Sequence, residues 1–138
     1  MRKKILHKVP AFTLTEVLVV LVIVGILVLL ALPNLMPLIS KAKSTEAKIQ
    51  LKHVYTLEKT YFFEKSKYSP DLDAIGFVQE KLVSDSESGQ ANYRIEIVDA
   101  SATAFSAKAT AVADFDGDGV FNVWEIDQNK NLRETVQD

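Results

Sequence analysis

Three aspartates and two glycines alternate near the end of the chain, in the segment DFDGDGVFNVWE at positions 114–125. Carboxylate and carbonyl oxygens are the hard ligands that Ca²⁺ prefers in proteins. The spacing satisfies the calcium-loop pattern D-x-[DN]-x-[DN]-G-x5-E, in which the central glycine allows a sharp turn. The sequence therefore predicts a Ca²⁺ cofactor with ligands from Asp114, Asp116, Asp118, the Val120 carbonyl, Asn122 and Glu125.

The residues on either side of this segment read as strands, whereas an EF-hand loop joins two helices. A helical return brings the last ligand back to the ion, but seven extended residues carry Glu125 about 23 Å away from Asp118. The aspartates are therefore stronger ligand candidates than Glu125. The alternative interpretation is a solvated Asp/Gly turn between two strands, which this composition also favours.

The largest element that must position these residues starts near the N-terminus, where residues 17–32 contain no charged or hydrogen-bonding side chain. As a helix, residues 12–32 span about 31 Å, which matches the roughly 30 Å hydrocarbon core of a bilayer. The chain is too short to surround such a helix as a soluble core. Four basic residues precede the run, so the N-terminus is expected in the cytoplasm and the following domain outside it.

The stretch PAFTLTEVLVVLVIVGILVLLALPN, residues 10–34, resembles the signal and N-terminal helix of type IV pilins and type II secretion pseudopilins. The resemblance implies a leader, residues 1–11, which a prepilin peptidase removes between Ala11 and Phe12 before methylating the new N-terminus. Ala11 stands where the family usually has glycine. The resemblance also implies that residues 12–37 form a transmembrane and assembly helix.

A carboxylate at the edge of the hydrocarbon layer is costly unless it is paired. The resemblance implies that Glu16 meets the N-terminal amine of Phe12 on a neighbouring copy, and that Gly25 and Pro33 also serve assembly, as flexible points of the helix. The alternative for Glu16 is a local role, in which its charge stabilises the helix N-terminus.

Residues 38–138 are predicted to form an amphipathic helix and a globular head. At 100° per residue, one stripe of the helix is apolar and lysines cluster on another face. Alternating segments at 92–98 and 103–113 predict an antiparallel hairpin, and residues 120–126 predict a third strand. The expected fold class is α+β: a long N-terminal helix packed on a small antiparallel β-sheet. The apolar stripe consists of Ala47, Leu51, Val54, Tyr55 and Phe62.

The chain has no cysteine and a net charge of -2, which exclude disulfides and give no sign of a nucleic-acid surface. No catalytic constellation is evident, so the chain is not expected to be an enzyme. The resemblance predicts a filament subunit, made in the inner membrane and assembled into an extracellular or periplasmic filament. Its expected partners are its own copies, the prepilin peptidase, and an assembly ATPase with its membrane platform. Alternatives are a type II secretion pseudopilin and a membrane-tethered calcium-binding module that does not polymerise.

Overall fold

A computed structural model describes residues 11–138 of the chain, so residues 1–10 of the predicted leader lie outside the described part. One long helix is followed by four strands that form a single antiparallel sheet in the order β1-β2-β3-β4. The predicted α+β class, with a long N-terminal helix and a small antiparallel sheet, is confirmed. The elements are α1 (Leu14–Lys65), β1 (Tyr93–Ala100), β2 (Phe105–Ala111), β3 (Val123–Asp127) and β4 (Leu132–Val136).

The helix α1 is 52 residues long and continues through Pro33 and Pro37. It ends where Ser66 adopts a left-handed backbone with φ of 56° and its N–H donates to the Phe62 carbonyl at 2.8 Å. A residue of positive φ after the last turn is a common helix stop. The chain divides into two compact units, the first ending at Leu35 and the second beginning at Met36.

In the second unit, the apolar stripe of α1 packs on one face of the sheet. Ala47, Leu51 and Val54 are fully buried, and Tyr55 and Phe62 are partly buried against the same core. Strand β2 alternates buried and half-buried residues, as expected of a strand with one face on the core. The predicted stripe is therefore confirmed. The largest fully buried sheet residues of this core are Tyr93, Phe105 and Ile126.

The predicted hairpin is present as β1 and β2, joined by a turn at 101–104. The third strand is also present, although it begins at Val123. The fourth strand was not predicted. Its residues are mostly exposed, so they lack the apolar alternation that marks a half-buried strand.

Candidate functional site

The start of α1 is closed by a capping box between Thr13 and Glu16. Glu16 Oε2 accepts the Thr13 backbone N–H at 2.9 Å and the Thr13 hydroxyl lies 3.0 Å from the same oxygen. In return, Thr13 Oγ1 accepts the Glu16 backbone N–H at 3.2 Å. These reciprocal bonds satisfy donors that a helix N-terminus otherwise leaves unpaired. Within one chain, Glu16 thus has a local role, and within residues 11–138 its second oxygen, Oε1, accepts no hydrogen bond.

The first half of α1 has nothing packed on it in the single chain. An 18-residue window of mean hydropathy 3.0 within this helix is entirely exposed. Phe12 is 85% exposed, and adding a methyl group at Gly25 would meet no atom within 4 Å. Pro33 is also exposed. This surface is long and apolar enough to cross a bilayer.

The aspartate segment folds into a tight turn between β2 and β3. Asp114 accepts the backbone N–H groups of Gly117 at 2.6 Å and Gly119 at 2.7 Å. Both glycines have positive φ, 86° and 88°, which only glycine adopts without strain. Further along, Asp116 accepts the Asp118 N–H at 3.0 Å and Asp118 accepts the Val120 N–H at 2.7 Å. The glycines therefore let the turn fold back over Asp114.

This folding gathers three carboxylates from two distant parts of the chain. One oxygen each from Asp114, Asp116 and Asp138 lies within 4.8 Å of the others. Asp138 is held there because its Oδ2 accepts the Phe115 N–H at 3.1 Å, while its Oδ1 is buried without a hydrogen-bond partner. Hard oxygen ligands converging at this separation form an arrangement that can accommodate a Ca²⁺ or Mg²⁺ ion.

The pKa values of Asp114 and Asp116 are shifted in opposite directions. Hydrogen bonds from the Gly119 and Gly117 N–H groups hold the pKa of Asp114 below its usual value. A hydrogen bond from the Asp118 N–H lowers the pKa of Asp116, but desolvation and the negative charges of Asp118, Asp138 and Asp114 together outweigh it, so this pKa lies above its usual value. The neighbouring carboxylates therefore contribute to disfavouring the charged form of Asp116.

The other predicted ligands lie outside this group. Asn122 is fully buried, where it accepts the Tyr93 hydroxyl at 2.8 Å and donates to Glu134 Oε1 at 2.6 Å. Glu125 lies on β3 and pairs with Arg133 of β4 at 3.1 Å. The Asp118 carboxylate and Val120 belong to the turn but not to the three-carboxylate group. Asn122 and Glu125 therefore have structural partners of their own.

Asp138 is the residue of this group that sequence reasoning missed. It lies outside the 12-residue loop pattern, and only the return of β4 beside β3 brings it to the turn. A local spacing pattern cannot report such a contact. The one available signal was a further acidic residue beyond the last predicted strand.

A helix with an exposed apolar first half, whose second half lies on an antiparallel sheet, is a pilin-like arrangement. Residues 7–32 match a sequence family described as the prokaryotic N-terminal methylation motif. The chain is also similar to the type IV major pilin protein PilA of Myxococcus xanthus strain DK1622, with 43% identity over 70 residues. That alignment covers 51% of this chain and 32% of the relative, so the chain spans about a third of the relative's length. These matches show that the chain is similar to a type IV pilin over about half of its length and carries a prepilin-type motif at its start.

Proposed function

We propose that this chain is the structural subunit of a type IV pilus-like filament, anchored in the membrane before assembly and built into the filament through α1. The main support for this proposal is that the first half of α1 is apolar and fully exposed, in a helix that starts with a prepilin-type motif. Apolar surface on this scale needs either lipid or other copies around it. The similarity to a major pilin points to a structural and non-enzymatic role.

The second half of α1 supports the same proposal. Leu38, Ile49 and Phe63 are 62%, 62% and 80% exposed. At 100° per residue they fall within a 40° arc, on the side of the helix opposite the buried stripe. The sheet covers one side of α1 and leaves this apolar row for another copy.

Assembly through Glu16 is compatible with its capping role. Cleavage between Ala11 and Phe12 leaves the Thr13 peptide N–H intact, so the capping box persists in the processed chain. The capping box uses only Oε2 of Glu16, so Oε1 of Glu16 stays available for the amine of Phe12 on a neighbouring copy. A charged pair at this position offsets the cost of keeping each group in an apolar environment.

The test of assembly is the intact mass of protein sheared from the cell surface. A chain that begins at N-methylated Phe12 in long fibres supports the proposal. Processed chains confined to short periplasmic assemblies favour the pseudopilin alternative. A full-length chain confined to the membrane contradicts processing and favours the tethered module.

Glu16→Gln separates the two roles of Glu16. Glutamine is accepted at the third position of a capping box, so the variant keeps the helix start but loses the charge. We expect wild-type amounts of membrane-inserted subunit and loss of fibres. Normal fibres from Glu16→Gln would mean that the carboxylate acts only as a helix cap. Thr13→Val is the matched variant, because it removes the cap hydroxyl and leaves the charge.

We further propose that the aspartate turn binds Ca²⁺ through Asp114 and Asp116, with Asp138 as a third carboxylate. The supporting observations are the convergence of the three groups and the buried, unpartnered oxygen of Asp138. A bound cation would relieve the repulsion between these carboxylates and tie the turn to the end of β4. Because the chain has no cysteine, such a link would connect the two segments without a disulfide.

Thermal unfolding of the full chain in detergent micelles tests this site. Calcium at about 100 times its Kd should stabilise the folded chain by about 2.7 kcal/mol, and a chelator should reverse the effect. Asp116→Asn and Asp138→Asn should each abolish the difference, whereas Glu125→Gln should retain it. An effect lost in Glu125→Gln but retained in Asp138→Asn would favour the linear loop pattern instead. No effect of the chelator on the wild type would refute calcium binding altogether.

A further inference from the structure

A groove of about 470 Å³ lies at the β1 edge of the sheet, between β1 and the segment 70–79. Its floor is apolar: Phe77 and Ile95 are buried there, and Leu72 is half-buried. Its rim is acidic and exposed, formed by Asp71, Asp73 and Glu96. A groove of this kind suits a long basic side chain, which lays its methylenes on apolar surface and keeps its charged end at the rim.

The groove is held open by the side chain of Gln79. Its Oε1 accepts the Ile95 N–H at 2.9 Å and its Nε2 donates to the Tyr93 carbonyl at 3.2 Å. An edge strand leaves such backbone groups unpaired, and here the amide takes the place of a neighbouring strand. The segment 70–79 is therefore fixed at a set distance from β1, and the groove exists before any partner arrives.

The two aspartates at the rim have no ion-pair partner within residues 11–138. Asp71 is used locally, because its Oδ1 accepts the Asp73 N–H at 3.0 Å. Glu96 lies 3.8 Å from Lys108 Nζ and is thus partly neutralised. The Asp73 carboxylate accepts no hydrogen bond and forms no ion pair among the described residues, so it is the uncompensated negative charge of the groove.

A complementary row of lysines lies on α1. Lys41, Lys48, Lys52 and Lys59 fall within a 40° arc at 100° per residue. Two members contact aromatic side chains: Lys48 Nζ is 4.3 Å from the Trp124 ring of β3, and Lys59 Nζ donates to the Tyr68 hydroxyl at 2.8 Å. The other two, Lys41 and Lys52, are exposed and make no ion pair among the described residues. The row thus offers two free cations.

The groove and the lysine row occupy different sides of the same head. The groove borders β1, whereas Lys48 contacts β3, and Lys41 and Lys48 line a pocket with Glu134 of β4. In the strand order β1-β2-β3-β4, β1 and β4 are the two opposite edges. Complementary surfaces on opposite sides of one subunit give head-to-tail contacts, which build an open filament when the rotation between subunits does not close a ring.

We propose that the groove receives the exposed lysines of α1, Lys52 above all, from a second copy of this chain. This inference rests on the proposed filament function and names the surfaces that meet. The lysine stem lies over the apolar floor, and its ammonium group pairs with Asp73 and Asp71. The contact is heterologous, so each subunit uses its groove toward one neighbour and its lysine row toward another.

Charge reversal in cells that make the full chain tests this contact. Asp73→Lys alone and Lys52→Glu alone should each lower the yield of sheared fibres about tenfold, because like charges then face each other. The combined variant should recover most of the wild-type yield. Glu87→Lys is the matched control, since it reverses an exposed acid of the same chain region outside the groove. The membrane-inserted amount of each variant is measured in parallel, to correct for folding.

The outcomes separate this inference from the filament proposal. Absence of fibres from the wild type refutes the filament function itself. Wild-type fibres with normal yields from both single variants refute the groove contact alone. Reduced yields that the combined variant does not recover also overturn the pairing of Asp73 with Lys52.

Because the chain has no cysteine, paired cysteines give a second readout. A chain carrying both Asp73→Cys and Lys52→Cys should form a ladder of disulfide-linked copies when sheared fibres are oxidised. Each single variant should remain monomeric. Dimers from either single variant would indicate a self-complementary contact instead, and no crosslinks in the double variant within intact fibres would overturn the proposal.

Discussion

Glu58 is a buried carboxylate of which only one oxygen has a hydrogen-bond partner. It is fully buried on α1, its Oε2 accepts the Ser69 N–H at 3.0 Å, and its Oε1 has no partner. Burial raises the pKa of Glu58 above its ordinary value, against the opposing effect of the Ser69 N–H. We predict that Glu58→Gln stabilises the head near neutral pH.

The size of this stabilisation follows from the polar atoms that glutamate and glutamine each leave without a hydrogen-bond partner at position 58. The amide oxygen of glutamine keeps the bond to Ser69, and its NH₂ group becomes a neutral buried donor, which costs about 1–3 kcal/mol when unsatisfied. A charged buried carboxylate with one free oxygen costs several kcal/mol. The net gain is about 1–2 kcal/mol, and for a domain near 100 residues each kcal/mol shifts Tm by about 4–8 °C.

The sign of the pH dependence is fixed by the direction of the pKa shift. Because the folded chain binds the Glu58 proton more tightly than the unfolded chain does, the stability this group contributes is complete below the ordinary pKa of 4.5. It is then lost as pH rises through the raised folded value. The advantage of Glu58→Gln should therefore be small near pH 4.5 and should grow toward neutrality.

The assay is thermal unfolding of the full chain in detergent micelles at a series of pH values, for wild type and variant together. Titration of other groups cancels in the difference between the two curves. Glu64→Gln is the matched control, because Glu64 is exposed on the same helix. A Tm difference that is negative, or that stays constant across the pH series, would refute this account of Glu58.

Two further substitutions test the packing of the head by urea unfolding of the full chain in micelles. Asn122→Leu should cost about 2–4 kcal/mol, because it leaves the Tyr93 hydroxyl and the Val136 carbonyl without their buried partner; a change under about 0.5 kcal/mol would contradict this role. Gly89→Ala should also destabilise, since the added methyl group would clash with the Leu82 carbonyl, whereas Gly25→Ala meets no atom and should not. Equal effects of the two glycine substitutions would show that the Leu82 contact does not matter.

The features that could be predicted from the sequence are those that produce a periodic pattern within a short segment of the chain. The apolar run, the buried stripe of α1 and the β1–β2 hairpin each have a period that a short window contains. Composition and periodicity are sufficient for these elements because their neighbours in sequence are also their neighbours in space. The capping box at the start of α1 was not predicted, although Thr13 and Glu16 stand three apart, which is the spacing of this motif.

What sequence reasoning missed depends on pairs that are distant along the chain. Strand β4 is an exposed edge strand, so it carries no alternation. Asp138 reaches the aspartate turn only because β4 returns beside β3. The separation between Glu125 and the turn was anticipated from the extended geometry of β3, but its partner Arg133 was not, because it lies on the strand that went unrecognised.

Polar contacts between α1 and the rest of the head help to hold the sheet in register with the long helix. Several polar contacts join the second half of α1 to the head, and three of them lie at successive heights: Ser40 to the Asp138 carbonyl at 2.9 Å, Glu46 to Asn92 at 2.7 Å, and Glu58 to Ser69. Ser40 and Glu58 are about 27 Å apart along the helix. Because apolar packing alone resists sliding poorly where side chains are similar, these directional bonds fix the axial position of the sheet. A shift of the head along α1 would break these bonds, so they oppose sliding of the sheet along a helix whose opposite face is exposed.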